Sequence, residues 1–172
     1  MNTELGSSIY GIFLCLAEIE KVIARLYNDL SNKVSDSFVS GILDFISFDS
    51  TKHYMILSDL ANIYKVVIKD KDKNCAYLLG NFYLMSIDLV REINDYIREK
   101  DSISLDELNK ILNKLVSYEG KIGEEYVTEI VTKLIVDLGD LDKGVKRILE
   151  LINEDENRHV SLLKEILLYL KK

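Results

Sequence analysis

The sequence predicts an all-α protein built as one antiparallel bundle of helices, and three observations predict it. The 172 residues include no proline and only eight glycines, so little in the chain breaks a helix. Apolar residues recur at three- and four-residue spacing from end to end, and no stretch alternates with the two-residue period of a strand. Hydrophobic residues at 48% and charged residues at 30% supply one core and a solvated exterior, and the length suits a single domain over 1–172.

The elements follow in order. A first helix is predicted from about Leu5 to Ser31, with Ile9, Phe13, Leu16, Glu20, Ile23, Tyr27 and Leu30 on its inner stripe. Ser35-Asp36 offers an N-cap for a second helix reaching about Lys69. Its inner stripe reads Ile42, Phe45, Asp49, His53, Ile56, Leu60 and Ile63. A charged turn over 69–74 leads to a third helix from Cys75 to Lys100, whose stripe Leu78, Phe82, Met85, Leu89, Ile93 and Tyr96 carries no evident chemistry. Ser104-Leu105-Asp106-Glu107 is a capping box opening a fourth helix that extends to about Leu138, with a bend expected near Gly120 and Gly123. Gly139-Asp140 ends it, and a fifth helix runs to the C-terminus through Ile148, Ile152, Asp155, His159, Leu162 and Ile166.

Composition excludes several classes of function. A net charge of -7 leaves no basic surplus to displace counterions, which argues against nucleic acid as a partner. The apolar run Ile9 to Ala17 is far short of the ~20 residues that span a bilayer, and no basic leader precedes it. No membrane association and a cytoplasmic location are expected. Cys15 and Cys75 lie far apart, form no CxxC pair, and read as small buried hydrophobes in a reducing compartment rather than as a disulfide framework or a zinc site, with a bridge between the two left open. No glycine-rich phosphate loop or Gly-x-Ser-x-Gly elbow occurs.

The chemistry concentrates around the two histidines, His53 and His159, each of which follows acidic residues on an apolar helix face. Burying an unpaired carboxylate costs several kcal/mol, so such a face calls for a partner, and a metal ion is one. Glu156 and His159 stand at i and i+3, which brings both side chains out one turn apart on the same side. Each acid–histidine helix is preceded by a helix carrying an inward Glu. Glu20 lies 33 positions before His53 (53 minus 20) and Glu125 lies 34 before His159 (159 minus 125). Glu124 and Glu129 are alternative inward residues on that helix. The plainer readings are a solvated helix end for Glu156 and His159, a hydrogen-bonded pair for Asp49 and His53, and core packing for Tyr27.

Two segments carry a family resemblance. Ala17-Glu18-Ile19-Glu20-Lys21-Val22-Ile23-Ala24-Arg25-Leu26-Tyr27 is similar to the first metal-binding helix of the ferritin-like superfamily, nearest its rubrerythrin-like members. Glu154-Asp155-Glu156-Asn157-Arg158-His159-Val160-Ser161-Leu162-Leu163 is similar to that family's last Glu-x-x-His helix, and Asp49 to Leu57 is a fainter version of the other such helix. The resemblance implies an antiparallel ferritin-like four-helix bundle with an additional helix in the connection between its two halves. It also implies a ligand set: Glu20 and Glu125 as terminal ligands, Glu156 as the bridge, His159 on one metal and His53 on the other, with Tyr27 donating a hydrogen bond to a carboxylate. The family's second bridging Glu falls at Ser50, where Asp49, one residue away, is the substitute on offer. The four-cysteine electron-transfer segment of rubrerythrins is absent from this sequence.

The expected cofactor is therefore iron, dinuclear or mononuclear, with manganese or zinc as other candidates. The expected partners are metal ions and oxygen or hydrogen peroxide, and the exposed face of the third helix suits a homodimer contact. The expected function is that of a peroxidase- or ferroxidase-type oxidoreductase. A metal-free ferritin-like bundle serving as a structural or interaction module is the alternative.

Overall fold

The computed structural model describes residues 3–64, 74–125 and 142–171, with side chains over 9–64, 74–120 and 142–171. Six helices run through these residues, with no strand among them: α1 Thr3–Ser31, α2 Ser37–Ile63, α3 Cys75–Leu79, α4 Asn81–Ile97, α5 Leu105–Glu125 and α6 Lys143–Tyr169. The class is all-α, as the apolar periodicity requires.

Local chemistry sets the boundaries. The Asp36 carboxylate accepts from the backbone N–H groups of Phe38 and Val39 at 3.0 and 3.1 Å and starts α2. At the start of α5 the Glu107 carboxylate accepts from the Ser104 N–H at 2.9 Å while Ser104 Oγ accepts from the Glu107 N–H at 3.4 Å, the reciprocal box read from the sequence. Asp142 caps α6 through the Gly144 N–H at 2.7 Å. The single helix expected over Cys75–Lys100 is instead two, because Gly80 takes φ 58° and ψ -139°. Residues with a Cβ reach that region only under strain, so the chain turns there and a new helix begins. α5 stays helical through Gly120 and Gly123. The expected ends at Lys69 and Leu138, and the Gly139-Asp140 stop, lie outside the described residues.

α1 occupies the middle of the packing. It lies along α2 on one side and meets α3 and α4 on another, while α5 packs on α6 and α6 on α2. Its inner stripe from Ile9 through Leu30 is buried as expected, Phe13, Tyr27 and Leu30 completely. Each such large apolar side chain contributes roughly 1.5–3 kcal/mol on leaving water. The stripe of α2 is rotated from the expected one. Val39, Leu43, Ile46, Ser47, Ser50, His53, Leu57 and Leu60 face inward, whereas Phe45 and Ile63 are exposed. Phe45 instead lies under the Arg158 guanidinium, 5.5 Å from its ring centre. On α4 the inward residues are Phe82, Ser86, Val90, Ile93 and Ile97, and the expected Met85 and Tyr96 point outward.

The reading of the cysteines as free thiols is overturned. Cys15 on α1 and Cys75 on α3 form a disulfide across 60 positions, with Cα atoms 5.4 Å apart. α3 packs on α1, a tertiary pairing that neither cysteine's neighbours encode. The cysteine-based ground for a reducing compartment disappears with it. Among the described residues, no helix is long and apolar enough to cross a membrane.

Candidate metal centre

Five ionisable side chains from four helices converge in the interior. Glu20 comes from α1, one heptad before Tyr27, and His53 from α2, one turn after Ser50. Glu119 comes from α5, where Leu108, Leu112 and Leu115 lead up to it on the buried face. Glu156 and His159 come from α6 between Ile152 and Leu163. Both histidines are 0% exposed, and the three glutamates only 1–7%. The helical periods that bury the leucines also bury these acids, because each acid occupies an inward position of its stripe.

These residues form two groups with one member in common. Glu20, His53 and Glu156 make one, and Glu119, Glu156 and His159 the other, each with its ligand atoms within 4.8 Å of one another. His53 Nδ1 lies 3.1 Å from Glu156 Oε1 and 3.6 Å from Glu20 Oε2. His159 Nδ1 lies 3.4 Å from Glu156 Oε2. The two imidazole centres are 6.0 Å apart. Tyr27 Oη donates to Glu119 Oε1 at 2.5 Å.

The outward nitrogens of the two rings are held crosswise. His53 Nε2 on α2 meets Asp155 Oδ2 of α6 at 3.1 Å, and His159 Nε2 on α6 meets Asp49 Oδ2 of α2 at 3.4 Å. An ionised carboxylate only accepts, so each Nε2 donates to its aspartate, and each Nδ1 is the ring nitrogen left facing the glutamates. Lys52 bonds both aspartates at 2.7 Å, and Arg158 bonds Asp155 at 2.7 Å and Asp49 at 2.8 Å. Two acids and two bases thus form a neutral roof over the histidines. Burial works against the charge of Asp49, yet Lys52 and Arg158 outweigh it and bring its pKa down to about 2. Asp155 is lowered as well, again against burial, chiefly by Lys52 and His53.

Inside the roof the electrostatics are unbalanced. Burial, then the charge of Glu156, pushes Glu20 and Glu119 up. Burial disfavours an imidazolium at His53, but Glu156 and Glu20 prevail and push it up to about 11. Glu156 is held below the usual carboxylate range despite its burial, by His159 and His53. Burial and the neighbouring Glu119 raise Tyr27. Four polar atoms at this spot have no hydrogen-bond partner among the described residues: His53 Nδ1, His159 Nδ1, Glu119 Oε2 and Glu156 Oε1. Orphaned, buried and inward-facing, they are the donor atoms a cation would take. A set of imidazole nitrogens and carboxylate oxygens suits iron, manganese or zinc, so the residues present fit such an ion.

A small cavity of about 10 Å³ adjoins the carboxylates, lined by Glu20, Glu119 and Glu156 together with Ile19, Ile23 and Phe82. Phe82 belongs to α4, the helix whose sequence held no sign of chemistry. It lines the cavity beside the three carboxylates.

Four of the residues singled out by sequence, Glu20, His53, Glu156 and His159, belong to these groups, and Tyr27 touches them through Glu119. Asp49 lies outside both groups, in the roof against His159. The side chain of Glu125 lies outside the described residues. Glu119 was missed. The leucines at its i-4, i-7 and i-11 positions mark it as inward, a signal outweighed by the matching of spacings that selected Glu125. Comparison with family models, with curated proteins and with solved structures found no significant match.

Proposed function

We propose that this protein is a ferritin-like carboxylate protein that binds two divalent metal ions, iron or manganese, among α1, α2, α5 and α6. The four-helix core would be antiparallel, with α3 and α4 in the connection between its halves. The observation that carries this reading is Glu156. It belongs to two separate three-residue groups at once, with one oxygen toward His53 and the other toward His159. A carboxylate with that placement would be shared by two cations.

Glu20 and His53 would hold one ion, Glu119 and His159 the other, and Glu156 both. Bound there, iron would supply electrons for the reduction of oxygen or hydrogen peroxide. The chain's own part is preorganisation. Asp155 and Asp49 fix the tautomer and tilt of the two imidazoles, as carboxylates behind metal-binding histidines do. Tyr27 holds one oxygen of Glu119 and leaves the other free. Ile19, Ile23 and Phe82 supply apolar walls beside the carboxylates.

The test is metal content after anaerobic loading with ferrous iron, on protein purified without a histidine tag, beside Glu156→Ala. Tight iron in the wild type, lost in the variant, is the expected result, and exposure to peroxide should then oxidise the bound iron. Equal, background iron in both proteins would sink the reading. The second reading, a metal-free scaffold acting as an interaction module, is favoured by one feature: Ser50 stands where a second bridging carboxylate is expected.

A further inference from the structure

The two histidine helices are built on one plan, and the plan is broken at one residue. On α6, Asp155, Glu156, Arg158 and His159 form the series; on α2 the same register reads Asp49, Ser50, Lys52 and His53. Three of the four pairs play matching parts. Each aspartate faces the Nε2 of the other helix's histidine, Lys52 and Arg158 each bond both aspartates, and each Nδ1 points at the glutamates. Only Glu156 lacks a counterpart. Ser50, 1% exposed and one turn before His53, takes its place in the register.

If the metal reading above holds, this leaves a deficit among the described side chains. The roof of Asp49, Asp155, Lys52 and Arg158 is neutral, so two divalent cations would face the three negative charges of Glu20, Glu119 and Glu156. A net positive charge would remain in an apolar interior, which is costly. The donor count is short too. With one oxygen from each terminal glutamate, the described side chains would give each ion one histidine nitrogen and two carboxylate oxygens, below the four donors that even a tetrahedral ion takes. One bridging monoanion with two oxygens would balance the charge and add one donor to each ion.

We propose that Ser50 opens the centre to a small external oxyanion of carboxylate shape, such as bicarbonate or acetate, which bridges the metals opposite Glu156 and is required for the second ion to bind firmly. The protein would then sense or use such an anion together with its metals, where a built-in glutamate would close the centre to it. Halide offers a single atom and does not reproduce the two-oxygen span of the missing glutamate.

The test uses the full chain and anaerobic ferrous iron, with equilibrium dialysis as the readout. Buffer stripped of carbon dioxide and organic acids is compared with the same buffer containing bicarbonate, acetate or chloride at equal ionic strength. One firmly held iron per chain is expected in the stripped buffer. Bicarbonate or acetate should tighten the second at least tenfold by linkage, and chloride should not. Ser50→Glu should hold two irons in stripped buffer and ignore acetate, and Ser50→Asp provides the same comparison with a smaller side chain. Two firm irons in the wild type without any anion would overturn the proposal, since water alone would then complete the centre. A single iron in the wild type under every condition would overturn it as well. No iron in the wild type or in either variant, with the helical circular dichroism intact, would instead remove the metal reading on which the proposal rests.

Discussion

At the scale of single residues, the centre depends on groups that touch no glutamate. Asp155 is the clearest. It precedes Glu156 on α6 yet reaches across to His53 Nε2 on α2, and it anchors Lys52 and Arg158 together. Replacing it with Asn keeps the volume and removes the charge, so the His53 ring exchanges a charged acceptor for a weaker neutral one. Asp155→Asn is expected to weaken metal binding by roughly 10- to 100-fold while leaving helix content unchanged. Competition against a chromophoric chelator measures this, and unchanged affinity would mean that the roof does not position the histidines. Residue-level legibility had a clear limit. Glu156 and His159 declare themselves by i, i+3 spacing, and Glu20 by its place in an unbroken apolar stripe. On α2, Asp49 and Ser50 differ by about 100° of helix rotation, and the apolar pattern tolerated either one as the inward residue. The aromatic Phe45 misled, because its ring covers the seam beside Arg158 rather than the core.

At the scale of elements, the helix ends are the most autonomous features, since their determinants lie within four residues. The box at the start of α5 is an example, and it extends to α4's C-terminal side: Lys100 and Tyr96 donate to Glu107 Oε1 at 2.7 Å each. Lys100 first, then Ser104, holds the Glu107 carboxyl below its ordinary 4.5. A group whose pKa is lowered on folding stabilises the fold fully above its unfolded value, and that contribution fades as pH falls below it. Glu107→Gln is therefore expected to be less stable than the wild type by a constant margin above pH 4.5, with the two converging as the solution becomes more acidic. Denaturant midpoints across an acid series would show it, and a margin that does not shrink at low pH would refute the assignment. Gly80 is the contrasting case. Its positive φ separates α3 from α4, but an isolated glycine inside a helical pattern does not announce whether the helix will pass through it.

At the scale of the molecule, the disulfide joins α1 to α3 and so brings the α3–α4 pair, with Phe82, against the carboxylate side of the centre. Closing a loop across 60 positions lowers the entropy of the unfolded chain. On the chain-entropy account that stabilises the fold by roughly 4 kcal/mol. Reduction, or Cys15→Ser with Cys75→Ser, is expected to lower the unfolding midpoint markedly. Thiol titration of the unfolded, unreduced protein should find no free cysteine. Two titratable thiols and an unmoved midpoint would count against the bridge.

The sequence by itself determined the all-α class, the capping residues and four of the five members of the buried cluster, because helical periodicity and caps are written in neighbours three to seven positions apart. Tertiary structure decided what depends on residues distant in the chain. It paired Cys15 with Cys75, rotated α2 so that Ser50 rather than Asp49 turns inward, crossed Asp49 and Asp155 onto each other's histidines, and brought Glu119 to Glu156. Those outcomes follow from which helix faces meet, and a one-dimensional pattern leaves that choice to packing.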